Sequence, residues 1–240
     1  MGLDDSVTFR KVFAADSRLR HPEGMVFWRG RLRVCASYHS TIVALRSDGT
    51  VDDDRAIRLR TTEWCWGLAV DPATDRLLVS ASPPYDFQTD LPGDNPSVAR
   101  RGEVLEIEED AGGPGAARHV VRSKIGGLTR PGGMAYAPRG HAAHAGDLFF
   151  TEYGQRGGAG KVLRYDAATD RLSVYVDLAD LDIETPLELR NPWSLCFSAS
   201  GDALYVATDP NHRAVLVFDG GGTLTKMLSP SEAPNFVLCA

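Results

Sequence analysis

Three carboxylates, two imidazoles and a set of aromatic, guanidinium and amide side chains stand where apolar runs of this chain begin or end. Glu23 follows His21-Pro22 at the head of the run EGMVFW, Glu152 closes LFFTE, and Asp209 opens an Asp-Pro-Asn-His loop that ends in His212. His39, Trp66, Arg130, Tyr153, Asn191, Trp193 and Asn235 hold comparable positions at other runs. Carboxylates and imidazoles exchange protons near neutral pH, and aromatic rings narrow and line a small-molecule pocket. The set therefore reads as a site for a small organic substrate. Glu23, Glu152 and Asp209 are its catalytic carboxylates; His39, Trp66, Arg130, Tyr153, Trp193 and His212 are its substrate-binding residues.

Each of these residues also has a plainer role. Glu23 can cap the preceding turn or pair with Arg20 or Arg130, and His21, His39 and His212 can be exposed loop histidines. Trp193 can be packing between units, and one of Trp64 and Trp66, which flank Cys65, is expected in the core. The pair His141 and His144 (HAAH) lies between Gly140 and Gly146 on a rim read as structural. GQRGGAG (154–160) lacks the strand-then-helix setting of a phosphate loop. No nucleophile-elbow motif occurs.

The elements that must position these groups repeat along the chain. EGMVFWRGRLRVCAS (23–37), WGLAVDPATDRLLVSAS (66–82), GGMAYAPRGHAAHAGDLFFTEY (132–153) and SLCFSASGDALYVATD (194–209) each read as strand, Gly/Asp turn, strand. A third strand and a weaker fourth follow each of them. Aligned on the second residue, the units start at Gly24, Gly67, Gly133 and Ser194, with a fifth start at Asn235. Four-strand units at roughly 40–50 residues, lengthened by loop insertions, are the signature of a β-propeller, whose blades bury their faces against their neighbours. The expected fold is all-β: one propeller domain over residues 1–240, with blades starting near 23, 66, 132, 193 and 235. Starts of first strands and ends of second strands then share one rim of the central channel, and that rim gathers the chemistry named above. Residues 7–14 alternate like an outer strand, and residues 236–240 resemble an innermost one. The sequence thus predicts four full blades of a six-bladed, truncated ring, or a five-bladed ring closed in an unusual way.

Composition narrows the function classes. The 240 residues are 43% hydrophobic with a formal charge of −6, enough for a sizeable core and unsuited to nucleic acid. No apolar run approaches the roughly 18–20 residues that span a bilayer, and no secretory signal opens the chain. The four cysteines form no metal-ligand spacing and read as small buried hydrophobes of a reducing compartment, so the expected location is cytoplasmic.

HPEGMVFWRGRLRVCAS resembles the first blade of the senescence marker protein/gluconolactonase/regucalcin-like family. PGGMAYAP and LYVAT…AVLVFD are similar to NHL-repeat and strictosidine-synthase-like propellers. The first resemblance implies a divalent metal, calcium, on the channel axis and metal-assisted hydrolysis of a lactone or related ester. It implies Glu23, Asn191 and Asn235 as ligands. Asn235 stands where the family has an aspartate that doubles as base, and Trp193 stands where its middle-blade asparagine is expected, with Asn191 two residues earlier. Pro131-Gly132-Gly133 replaces the substrate-side Asn-Asp-Gly. The second resemblance implies a non-catalytic propeller that binds a protein or small ligand across the same rim.

Overall fold

The computed structural model describes residues 12–59, 64–82, 102–110, 118–154, 158–183, 190–208 and 214–228. Their strands form four four-stranded antiparallel sheets, each built from consecutive strands. Blade one is β1 (Pro22–Trp28), β2 (Arg31–Ala36), β3 (Thr41–Leu45) and β4 (Ile57–Arg58). Blade two is β5 (Trp64–Val70), β6 (Leu77–Ser82), β7 (Gly102–Asp110) and β8 (Arg118–Leu128). Blade three is β9 (Pro131–Tyr136), β10 (Leu148–Glu152), β11 (Lys161–Asp166) and β12 (Arg171–Asp177), and blade four is β13 (Pro192–Phe197), β14 (Ala203–Thr208), β15 (Val215–Asp219) and β16 (Leu224–Leu228). The first strands β1, β5, β9 and β13 pack side by side in chain order, as the inner strands of a β-propeller do.

Period-two alternation explains why second strands read as unbroken apolar runs. Leu77 and Val79 of β6 face blade one, joining Trp28, Cys35 and Ile42, while Leu78 faces blade three, joining Phe150 and Leu163. Phe149 of β10 turns the other way, onto Leu195, Phe197 and Phe218 of blade four. Both faces of such a strand are covered, so neither needs polar side chains.

The repeated glycine has a steric cause. A Cβ at Gly67 would lie 2.4 Å from Gly132 O, and one at Gly24 would lie 2.5 Å from Trp66 O. Inner strands of successive blades meet backbone to backbone, and only a residue without a side chain fits there. Hydroxyls stitch the same joints. Ser37 Oγ donates to Cys65 O, Ser80 Oγ donates to Gly132 O at 2.6 Å, and Thr151 Oγ1 donates to Trp193 O at 3.3 Å.

Three expectations change. Residues 12–14 form no strand; Ala14 instead packs on the core of blade one beside Val34 and Val43, and the remainder of the 7–14 run lies outside the described residues. Cys35 and Cys65 are free and buried, but Cys196 is disulfide-bonded rather than a thiol. Neither Trp64 nor Trp66 is core: residues two apart on a strand share a face, so both rings stand half-buried on the rim while Cys65 between them is fully buried. The blade start at 235 lies outside the described residues. Among the described residues no helix is long and apolar enough to cross a membrane.

Candidate functional site

Every inner strand enters its blade through an irregular step in pairing: between Pro22 and Met25 in β1, Cys65 and Leu68 in β5, Pro131 and Met134 in β9, and Pro192 and Ser194 in β13. Such bulges re-aim side chains at the end of a strand. In β1 the re-aimed residue is Glu23, only 6% exposed. His21 precedes it with a positive φ of 52°, a left-handed conformation that costs a branched or bulky residue on the order of 1–2 kcal/mol. The turn brings His21 Nδ1 to 2.7 Å from Glu23 Oε1, an ion-pair distance, with the ring off the hydrogen-bond line. The His21 ring lies on Tyr38, centroids 4.6 Å apart.

Glu23 has a second partner from the far end of the chain. The Trp193 side chain donates a hydrogen bond to it, and this lowers the carboxyl pKa, but burial dominates and pushes it up to about 7. A carboxylate taken out of water favours its neutral form. The result is an acid that changes charge near neutral pH, as a proton-transfer group should.

Around this carboxyl runs a chain of rings. Tyr38 meets Trp64 edge-on at 5.3 Å, and Trp64 meets Trp66 at 6.0 Å. Trp66 meets Trp193 at 5.5 Å and 88°, and Trp193 meets Tyr153 at 6.0 Å and 83°. The Arg130 guanidinium caps the Tyr153 ring at 5.3 Å. Trp66 is fixed by its indole N–H, which donates to Ser82 Oγ at 2.7 Å. Perpendicular ring contacts of this kind are attractive in themselves and hold the walls in place without a ligand.

Of the residues expected at the site, Glu23, Trp66, Arg130, Tyr153 and Trp193 come together at this rim. Glu152 holds the approach to β9, its Oε1 accepting the Thr129 N–H at 2.8 Å. Asn191, buried, accepts the Gly154 N–H on Oδ1 at 2.7 Å. His39 is exposed and lines a separate cavity toward the blade edge. Asp209, His212 and Asn235 lie outside the described residues. Arg190 donates to the carbonyls of Leu181 and Ile183 and holds the chain there. His141 is buried between blades three and four against Phe149 and Phe197. His21, Tyr38 and Trp64 were not chosen from sequence as site residues. The i, i+2 spacing of His21-Pro22-Glu23 and of Trp64-Cys65-Trp66 is the signal that would have found two of them.

The calcium implied by the family resemblance asks for six to eight oxygens. Among the described residues no group of three His, Cys, Asp or Glu side chains converges to hold a metal. Glu23 faces an imidazole and an N–H donor, and the Asn191 oxygen already accepts the Gly154 amide. The two expected donors that are described, Glu23 and Asn191, do not by themselves make a calcium site, and the third, Asn235, lies outside the described residues.

No protein-family model matches the chain, and no curated protein matches it. Solved structures do match in fold. A luciferin-regenerating enzyme superposes with a TM-score of 0.59 at 12% identity, covering 88% of this chain and 63% of that one. The PQQ-bound aldose sugar dehydrogenase of Streptomyces coelicolor gives 0.58 at 15% identity, covering 89% and 63%. A 6-phosphogluconolactonase-like protein of Bacteroides uniformis gives 0.55 at 16% identity, covering 93% and 60%. The chain spans about three fifths of the length of each of these. At these identities the likeness establishes the β-propeller fold.

Proposed function

We propose that this propeller acts on a small organic molecule at the mouth of its channel, opening a lactone or related ester by hydrolysis, with Glu23 as the carboxyl that moves the proton. The observation that carries the reading is the state of Glu23: a buried carboxyl with a pKa of about 7, 2.7 Å from an imidazole and hydrogen-bonded by an indole, at an aromatic-walled rim. The lactonase-like name among the similar folds agrees with this reading and adds nothing about residues.

The ring faces of Trp66, Trp193 and Tyr153 hold the flat face of a small ring by dispersion and C–H contact. Ionised Glu23 takes a proton from a water as its oxygen bonds to the acyl carbon. The tetrahedral adduct then expels the ring oxygen, which recovers that proton from Glu23, and the product is a hydroxy acid.

The test is kcat/KM over a panel of five- and six-membered lactones, with binding followed separately by tryptophan fluorescence. The expected profile rises with pH through about 7. Glu23→Gln should lower kcat/KM by roughly 100-fold or more while leaving lactone binding in place. Activity should persist after dialysis against a chelator. Turnover unaffected by Glu23→Gln overturns the assignment of the base. Lactone binding without turnover by the unmodified protein makes the rim a binding surface instead of an active site. Activity lost to the chelator and restored by calcium replaces the mechanism with a metal-assisted one.

A further inference from the structure

Two buried thiols meet across the seam between blades one and two, outside the chemistry assigned to Glu23. Cys35 lies on β2 and Cys65 on β5, and neither has any exposed surface. Both belong to one core cluster with Trp28, Ile42 and Leu77. Strand pairing brings them there. Thr41 sits opposite Ala36, the residue after Cys35, and Cys65 Sγ donates to Thr41 O at 3.8 Å. Ser37 Oγ donates to Cys65 O across the same seam. The Cys35 and Cys65 thiols are hydrogen-bonded to one another.

Burial pushes the Cys35 thiol well above its usual range, and Cys65 and Glu23 beside it add to the rise. A thiol held protonated is a poor nucleophile, so the pair is inert while the seam is shut. Blade one has a lightly covered outer side: β4 has 2 residues, and β1 leaves Met25 and Phe27 exposed. Local opening at such a place is the route by which an oxidant reaches a buried pair. The chain also carries a disulfide at Cys196, and conditions that keep that bond oxidised favour a second one.

We propose that Cys35 and Cys65 are a redox-controlled clamp, closing to a disulfide that ties blade one to blade two. The oxidant is a low-molecular-weight disulfide. One cysteine thiolate attacks it and releases one small thiol; the other cysteine then breaks the mixed disulfide and releases the second. The two thiol protons leave with the two small thiols, and the two cysteine sulfurs give up the two electrons that reduce the oxidant. The side chains are already in contact, so the step asks them to close to bonding distance. The bond turns the chain between β2 and β5 into a closed loop, which restricts the unfolded state. Cys65 stands between Trp64 and Trp66, so the clamp also fixes the strand that carries two rings of the rim.

The test treats the full chain with glutathione disulfide in urea below the unfolding transition. The protein is then alkylated in guanidinium, digested and mapped by mass spectrometry. The expected product is a Cys35–Cys65 cross-linked peptide pair, formed with circular dichroism unchanged. The cross-linked protein should denature about 5 °C above the same protein before oxidation. Cys35→Ala and Cys65→Ala, given the same treatment, should show neither the cross-link nor the rise. Should either variant fail to fold, the unmodified protein before and after oxidation decides. The proposal fails if Cys35 and Cys65 are recovered alkylated, or if either is recovered bonded to a different cysteine. It fails equally if the cross-link forms and the midpoint stays the same or falls, because the bond would then strain the seam instead of clamping it.

Discussion

Burial sets the behaviour of Glu23, and the same burial makes its charge costly to the fold. Its pKa rises from an ordinary 4.5 to about 7, so between those values the folded protein binds more protons than the unfolded chain. Stability from this residue is therefore complete below pH 4.5 and falls as pH rises through 7, by about 3 kcal/mol for a shift of this size. Glu23→Gln should flatten that decline and leave the variant more stable than the unmodified protein at pH 8, as read by denaturant unfolding at several pH values. Trp193 works in the opposite direction, since its hydrogen bond lowers the Glu23 pKa. Trp193→Phe keeps a ring and removes the donor, so the rising limb of the pH–rate profile should move above 7. A limb that stays at 7 would mean that the indole is only a wall.

At the scale of the element, each site residue depends on how an inner strand enters its blade. The bulge at Pro22–Met25 and the left-handed turn at His21 aim two polar side chains at one point. The glycine that follows Glu23 lets β1 touch β5. Ser80 shows how these contacts are locked: its hydroxyl accepts the Gly67 N–H at 2.7 Å and donates to Gly132 O at 2.6 Å. Ser80→Ala strands both backbone groups in a buried joint between blades two and three. The expected cost is about 1–3 kcal/mol, measurable as a lower denaturation midpoint with an unchanged slope. A neutral result would mean that water replaces the hydroxyl. The Gly24, Gly67, Gly133 series was visible in the sequence because close backbone contact admits one residue type. The hydroxyls were not, since Ser37, Ser80 and Thr151 share no local pattern and are united only by the carbonyl each meets in the next blade.

Across the whole molecule, stability is a sum of blade interfaces, as in other repeat folds. Blades two and three bury both faces, whereas β1 leaves Met25 45% and Phe27 76% exposed. Hydrogen exchange should accordingly be slowest in β6 and β10 and faster in β1 and in the outer strand β16. Equal protection throughout would show the four blades opening as one unit. Blade one also departs from the others at its outer edge, where β4 has only 2 residues.

Strand positions, turn positions and the propeller architecture were determined by the sequence alone, because period-two burial and Gly/Asp turns act over a few residues and recur in each blade. So was the placement of Glu23, Trp66, Arg130, Tyr153 and Trp193 on one rim, since strand order alone puts starts and ends of strands there. The pairing of Glu23 with His21 and Trp193, the same-face tilted contact of Trp64 with Trp66, and the use of Glu152 and Asn191 as backbone holders came only with the tertiary structure. A carboxylate's pKa depends on what excludes water from it. For Glu23 that means rings from other blades, brought close by folding and marked by nothing in its own stretch of chain.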